Sequence, residues 1–102
     1  MTFKTLMDDK EKVYVYRCDD GQRNHTKVFR DSLKAMGYML QDYNRRVEDL
    51  KLWCIENRKN IERYSCALTN DHAFIQDLDN VDNNTGYAFV LYEATVRCLP
   101  IE

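Results

Sequence analysis

The sequence predicts an α+β fold in which a small antiparallel sheet of three or four strands, in the chain order β-β-α-β-β, packs on one long or bent central helix. Three observations predict it. The chain has 102 residues, which suits a single domain over residues 1–102. β-branched and aromatic residues are concentrated near both ends, as in strands. Between them, apolar residues recur at helical spacing.

The first clear strand is predicted at residues 12–18. Its sequence, KVYVYRC, is rich in β-branched and aromatic residues, and the Asp19-Asp20-Gly21 that follows is typical of a turn. Residues 2–7 are predicted as a short strand paired with it through a turn at residues 8–11. These two segments supply the first two strands of the predicted order.

A long amphipathic helix is predicted from His25 onward, with Asn24 as its N-cap. Apolar residues follow one another at alternating spacings of four and three, which places them on one helical face. Gly37 and the segment 57–60 interrupt the pattern, and we expect the helix to break or bend at one of them. The stripe comprises Phe29, Leu33, Met36, Leu40, Tyr43, Val47, Leu50, Cys54, Ile61, Tyr64 and Leu68.

A β-hairpin is predicted to follow the helix. Residues 73–78 and 87–98 have the composition of strands, and the Asn-, Asp- and Gly-rich segment 79–86 between them is typical of an exposed loop. Alternation in the second strand places Tyr92, Ala94 and Val96 on one face. Pro100 ends that strand.

The helical stripe also has the spacing of a coiled-coil seam. Its flanking positions hold Arg30, Arg46, Lys51 and Arg58 and no acid, whereas a parallel coiled-coil dimer pairs opposite charges there. We therefore expect the stripe to face the sheet of its own chain.

Several large side chains of the helix lie off this stripe and predict an interface. The run Leu52-Trp53-Cys54-Ile55 covers most of the circumference of a helix, and apolar surface that its own chain does not cover marks binding sites. We expect a homodimer that uses the Trp53 side, or another protein bound there. The predicted partner-binding residues are Tyr38, Arg45, Arg46, Leu52, Trp53, Ile55 and Arg58.

The sequence indicates no catalytic centre and no cofactor. The motifs of phosphate-binding loops, nucleophile elbows and helical zinc proteases do not occur. His25, His72, Cys18 and Cys66 could form a zinc site, but their spacings are longer than those of zinc motifs. The acidic segment at residues 77–82 has an acid where a calcium loop needs glycine. We expect the histidines at element ends, the cysteines in the core and the acidic segment in a solvated loop.

Charge and cysteine usage favour a cytoplasmic protein. The net charge is −2, so composition does not predict a polyanion binder. No segment has the apolar length of a membrane span and the N-terminus is polar, so neither a membrane partner nor a secretion signal is predicted. Without a secretion signal, the four cysteines are expected as free thiols in a reducing compartment.

The predicted function is that of a small non-enzymatic module that binds another protein and regulates or inhibits it. In being short, rich in Asn, Asp and Tyr and poor in Gly and Pro, the chain resembles in composition the small accessory and inhibitory proteins of bacteriophages. That resemblance implies a protein partner. The alternative is a nucleic-acid-binding regulator that uses the basic residues of the helix, although acids interleave with them. A small metal-dependent enzyme is the third hypothesis.

Overall fold

A computed structural model of the protein describes residues 12–81 and 83–100. Five antiparallel strands form one sheet in the spatial order β2-β1-β5-β4-β3, and one long helix crosses it. The predicted α+β class is confirmed, whereas the predicted count of three or four strands in the order β-β-α-β-β is wrong. The elements in chain order are β1 (Lys12–Asp19), β2 (Asn24–Phe29), α1 (Ser32–Glu56), a 3-10 turn (Ile61–Arg63), β3 (Tyr64–Leu68), β4 (His72–Val81) and β5 (Ala88–Pro100).

The first hairpin, β1 with β2, occupies residues that were predicted to begin the helix. Asn24 is the first residue of β2 and pairs with Asp19, so it is not an N-cap. Gly21 has a φ of 85°, which suits a turn. The carboxylates of Asp19 and Asp20 accept backbone N–H bonds inside this turn. β1 pairs with β2 on one side and β5 on the other; the predicted strand at 2–7 lies outside the described residues.

Helix α1 begins at Ser32 because Asp31 caps it. The Asp31 carboxylate accepts the backbone N–H of Leu33 at 2.9 Å, which satisfies one of the free donors of a helix start. The helix runs through Gly37 and ends at Asn57, one of the two predicted points. There Lys59 N–H bonds to the Cys54 carbonyl at 2.8 Å and Arg58 N–H to that of Ile55 at 3.4 Å, the pattern of a Schellman motif.

The fifth strand arises where the helix was predicted to continue. β3 pairs antiparallel with β4, from Tyr64 opposite Asp77 to Leu68 opposite Ala73. Apolar residues at 61, 64 and 68 fit a helical period. This segment instead pairs with the edge of β4, because tertiary pairing overrides such short patterns. The predicted hairpin of β4 and β5 is confirmed, with register shifts after Ile75 and after Asp77.

The core lies between α1 and one face of the sheet. Met39 of the helix packs against side chains from β1, β4 and β5, and Tyr43, Val47 and Leu50 complete the contact. The stripe therefore faces the sheet from Tyr43 to Cys54, as predicted, but Leu33 and Leu40 are 72% and 44% exposed, and Met39, which is not on the stripe, is buried. The buried cluster comprises Tyr16, Cys18, Met39, Ala73, Ile75, Tyr92 and Ala94.

The opposite face of the sheet is open to solvent. In β1, β4 and β5, the residues that alternate with the core positions point away from α1, and no other described element lies over them. Arg17, Asp19 and Glu93 on this face are exposed. The protein therefore has two layers, a helix and a sheet, and one broad sheet surface without a partner in its own described chain.

Candidate binding surface on the helix

The C-terminal turns of α1 present the largest outward apolar side chains of the helix. Leu52, Trp53 and Ile55 are 59%, 44% and 74% exposed, whereas Cys54 between them is buried against the sheet. Leu52 and Ile55 are three residues apart and so are neighbours on the helix surface, with Trp53 on the adjoining flank. We call these three residues the Trp53 surface. Its exposure agrees with the prediction that the helix carries more apolar residues than its own sheet covers.

Charged residues surround the Trp53 surface. Glu56 and Arg58 follow it at the helix end, and Asp49 and Lys51 precede it; all four are exposed. Arg58 has a φ of 56°, because the Schellman motif requires a left-handed residue at this position. An apolar centre with a charged rim is the usual arrangement of a protein-protein interface.

Arg46 does not belong to this surface. Its guanidinium lies 4.5 Å from the ring centre of Tyr92, bonds to Asp42 at 3.2 Å and reaches Asp20 at 3.4 Å. Burial opposes the charge of Arg46, but the adjacent Asp42 carboxylate raises the pKa of the guanidinium above its usual value. Arg46 therefore connects α1 to the sheet and to the first turn.

Tyr38 likewise makes contacts within the chain. Its ring packs edge-on against Tyr16 with centroids 5.0 Å apart and lies 5.4 Å from Phe29, while its hydroxyl is 3.2 Å from Nε2 of His25. Arg45 is exposed but is held by Asp42 on its own helix. Of the seven predicted residues, the structure therefore exposes Leu52, Trp53, Ile55 and Arg58 at the C-terminal end of α1 and places Tyr38, Arg45 and Arg46 elsewhere.

A buried hydrogen-bond network that the sequence analysis missed lies beneath α1. The Tyr16 hydroxyl donates to Asp42 at 2.5 Å and lies 3.0 Å from the Tyr92 hydroxyl. Burial is the main cause that raises the pKa of Tyr16 above its usual range and that of Tyr92 to about 12. Burial also opposes ionisation of Asp42, but hydrogen bonds from Tyr16 and Arg45 outweigh it and lower the pKa of Asp42.

These protonation states make the network structural. At neutral pH both tyrosines keep their protons, and the Asp42 carboxylate is ionised, with its oxygens engaged by Tyr16, Arg45 and Arg46. A general acid or base needs a pKa near the operating pH, and none of these groups meets that condition. Part of this network could have been predicted from the sequence, because the spacing of Asp42 and Arg46 suits an ion pair on a helix.

The histidines and acids predicted at element ends also have partners within the chain. His72 lies 2.8 Å from Glu93. The prediction of a solvated loop for the acidic segment 77–82 is wrong as far as residue 81, which ends β4. Asp77 in this strand is buried and accepts two bonds from Arg63, at 3.0 and 2.7 Å. Those bonds lower the pKa of Asp77 against the opposing effect of burial. Within residues 12–81 and 83–100, no three His, Cys, Asp or Glu side chains are grouped to hold a metal ion.

The cysteines divide into two pairs of different environment. Cys18 and Cys54 are buried, as predicted, whereas Cys66 and Cys98 are exposed, so the prediction of a core position is wrong for these two. All four thiols are free. Cys98 borders a surface depression of about 530 Å³ between α1 and the chain around residues 69–71. Asp71 is the one charged residue in its lining, so the depression contains no acid-base pair.

Comparison of the chain with protein-family models, with curated proteins and with solved structures gives no significant match. In the part of the chain that the structure describes, no helix combines the length and the apolar character needed to cross a bilayer.

Proposed function

We propose that this chain is a non-enzymatic protein-interaction module that regulates or inhibits another protein by docking on it through the Trp53 surface. The observation that carries the proposal is the exposure of Leu52, Trp53 and Ile55 in the last turns of α1, where Cys54 alone among residues 52–55 is buried. Exposed apolar side chains of this size, grouped within one turn, are typical of binding sites.

The composition of the surface supports a protein as the partner. Tryptophan and arginine are enriched among the residues that contribute most to protein-protein binding, and Arg58 follows Trp53 just beyond the helix end. The charged rim of both signs supports a protein rather than a polyanion, because a nucleic-acid surface is predominantly basic. Arg45 and Arg46, which the nucleic-acid alternative needs, are already paired with Asp42.

The same surface cannot hold two partners at once. The sequence analysis also predicts a homodimer on the Trp53 side, and we assign that side to another protein instead. We further place the protein in the cytoplasm, in keeping with its four free thiols.

The experiment compares three tagged full-length chains in the lysate of the native host, with nuclease treatment. These are the native chain, Trp53→Glu and Leu33→Glu. Leu33 is 72% exposed at the other end of α1, so Leu33→Glu introduces the same charge on the same helix away from the Trp53 surface. Circular dichroism should show both variants folded, with a larger loss of stability for Trp53→Glu, because more than half of the Trp53 side chain is covered whereas Leu33 is mostly exposed.

The expected result is one near-stoichiometric protein that the native chain and Leu33→Glu retain after nuclease and that Trp53→Glu loses. Equal retention by all three chains contradicts the proposed surface. Partners that disappear on nuclease treatment favour the nucleic-acid alternative instead, and metal retained by the purified protein favours the metal-dependent enzyme.

A further inference from the structure

The open face of the sheet carries two ordered rows of mostly polar side chains across β1, β5 and β4, and Arg97 lies on the same face in the next row, opposite Val15. In the first row Arg17 of β1 is the register partner of Thr95 of β5, and Thr95 is that of His72 of β4. In the second row, two residues along each strand, Asp19 pairs with Glu93 and Glu93 with Phe74. The rows are about 6.6 Å apart. Each strand therefore contributes one residue to each row.

The two rows are poorly matched within a single chain. Asp19 and Glu93 are exposed carboxylates directly opposite each other on neighbouring strands, and like charges in this arrangement are destabilising. Nε2 of His72 lies 2.8 Å from the Glu93 carboxylate and leaves Asp19 without such a contact on this face of the described sheet. Arg17 is exposed and forms no ion pair within residues 12–81 and 83–100.

A second copy of the chain matches both rows. Consider a two-fold axis that runs across the strands, midway between the two rows, with the open faces of the two copies facing each other. This axis places each strand over the same strand of the other copy and reverses its direction. The first row of one copy therefore lies over the second row of the other. Arg17 then faces Asp19 of the second copy and Thr95 faces Glu93, while the rings of His72 and Phe74 face each other. Because the interface is isologous, every such contact occurs twice.

We propose that the open sheet face is a homodimer interface, in which Arg17 of each copy pairs with Asp19 of the other. This inference is independent of the function proposed for the Trp53 surface, which lies on the other side of the sheet. Two sheets pack about 10 Å apart at about −30°, so the rows stay in register near the centre of the sheet, where β5 lies between β1 and β4.

The size of the face is also appropriate. Five strands about 4.8 Å apart make it about 24 Å wide, and strands of six residues make it about 20 Å long. Its projected area of about 480 Å², to which the relief of the side chains adds, is about three-fifths of the roughly 800 Å² that each partner contributes to a standard interface, so the face suits a small interface.

The test is sedimentation velocity of the full chain over a range of micromolar concentrations, with charge-reversal variants. Native protein is expected to sediment as a dimer. Arg17→Asp gives a face with acids in both rows, and Asp19→Arg gives a face with bases in both rows, so each alone is expected to weaken self-association at least tenfold. An equimolar mixture of the two variants is expected to form a dimer. The acids at positions 17 and 19 of β1 in one chain then face the bases at positions 19 and 17 of β1 in the other.

The mixture also separates loss of binding from loss of fold, since misfolded chains would not recover the dimer when combined. The Trp53→Glu variant serves as the control and is expected to keep the dimer. A native chain that stays monomeric overturns the proposal. So does a native dimer that Arg17→Asp leaves intact, or a mixture of the two variants that remains monomeric. Loss of the dimer in Trp53→Glu alone would also overturn it, and would place self-association on the helix.

Discussion

The hydroxyl of Tyr16 donates a 2.5 Å hydrogen bond to the carboxylate of Asp42, and this bond joins the middle of β1 to the middle of α1. Tyr16 is fully buried, so water does not replace its hydroxyl if that group is removed. The same carboxylate binds Arg46, which in turn covers Tyr92. The helix is thus held on the sheet by polar contacts as well as by apolar packing.

Tyr16→Phe should therefore destabilise the fold. The substitution keeps the ring but removes a donor to a charged group, and such bonds contribute about 1.5–3 kcal/mol to stability. Urea unfolding followed by circular dichroism measures the loss. Tyr14→Phe is the matched control, because Tyr14 lies on the same strand and its hydroxyl forms no hydrogen bond with a described residue. Equal losses in the two variants would contradict the role assigned to Tyr16.

Stability should decline as pH rises above about 10. Tyrosine in an unfolded chain has a pKa of about 10, and burial raises the pKa of Tyr92 to about 12 and that of Tyr16 beyond its usual range. A raised pKa contributes stability that is fully present below about pH 10 and is lost as pH rises toward the folded value.

Absorbance at 295 nm, which reports phenolate, measures this directly. Part of the signal should appear in a cooperative step that coincides with unfolding rather than as gradual titration. Tyr92→Phe should reduce that step, whereas Tyr87→Phe, at a 75% exposed position, should leave it in place. A gradual titration of all seven tyrosines without unfolding would be incompatible with the buried network.

Arg58→Gly should stabilise the protein. Arg58 has a φ of 56° at the end of α1, where side chains other than glycine are strained by about 1 kcal/mol. Glycine relieves that strain and is the common residue at this position of a Schellman motif. Thermal unfolding should show a gain of about 0.5–1 kcal/mol for glycine and no comparable gain for Arg58→Ala, which removes the same charge but keeps the Cβ. A gain of equal size in both would point to charge instead of backbone strain.

Sequence patterns predicted the strands whose identity does not depend on distant neighbours. β1 and the β4–β5 hairpin have compositions rich in β-branched and aromatic residues and clear turns beside them. β2 and β3 were missed because their apolar residues also fit a helical period. Only the pairing of β2 with β1 and of β3 with β4 decides between the two structures, and that choice depends on the neighbouring strand and not on the pattern of the segment itself.

The candidate site was also only partly predictable from the sequence. The exposure of Leu52, Trp53 and Ile55 could be predicted, because four consecutive large residues cannot all face one sheet. The positions of Tyr38 and Arg46 could not, since their partners Tyr16, Tyr92 and Asp20 lie on other elements. A local sequence pattern shows when a helix has more apolar side chains than one sheet can cover, whereas the partner of a polar side chain depends on the tertiary structure.

The central position of β5 determines when this protein can acquire its structure. β5 is the last strand along the chain, yet it is the middle strand of the sheet and joins the pair β2-β1 to the pair β4-β3. Before it is in place, the chain can form two separate hairpins, and two-stranded hairpins are at most marginally stable in water. The pairing of Lys12 with Pro100 also closes a very long loop, which slows folding. The domain should therefore emerge from synthesis without a stable half and fold in a single cooperative step once its final strand is free.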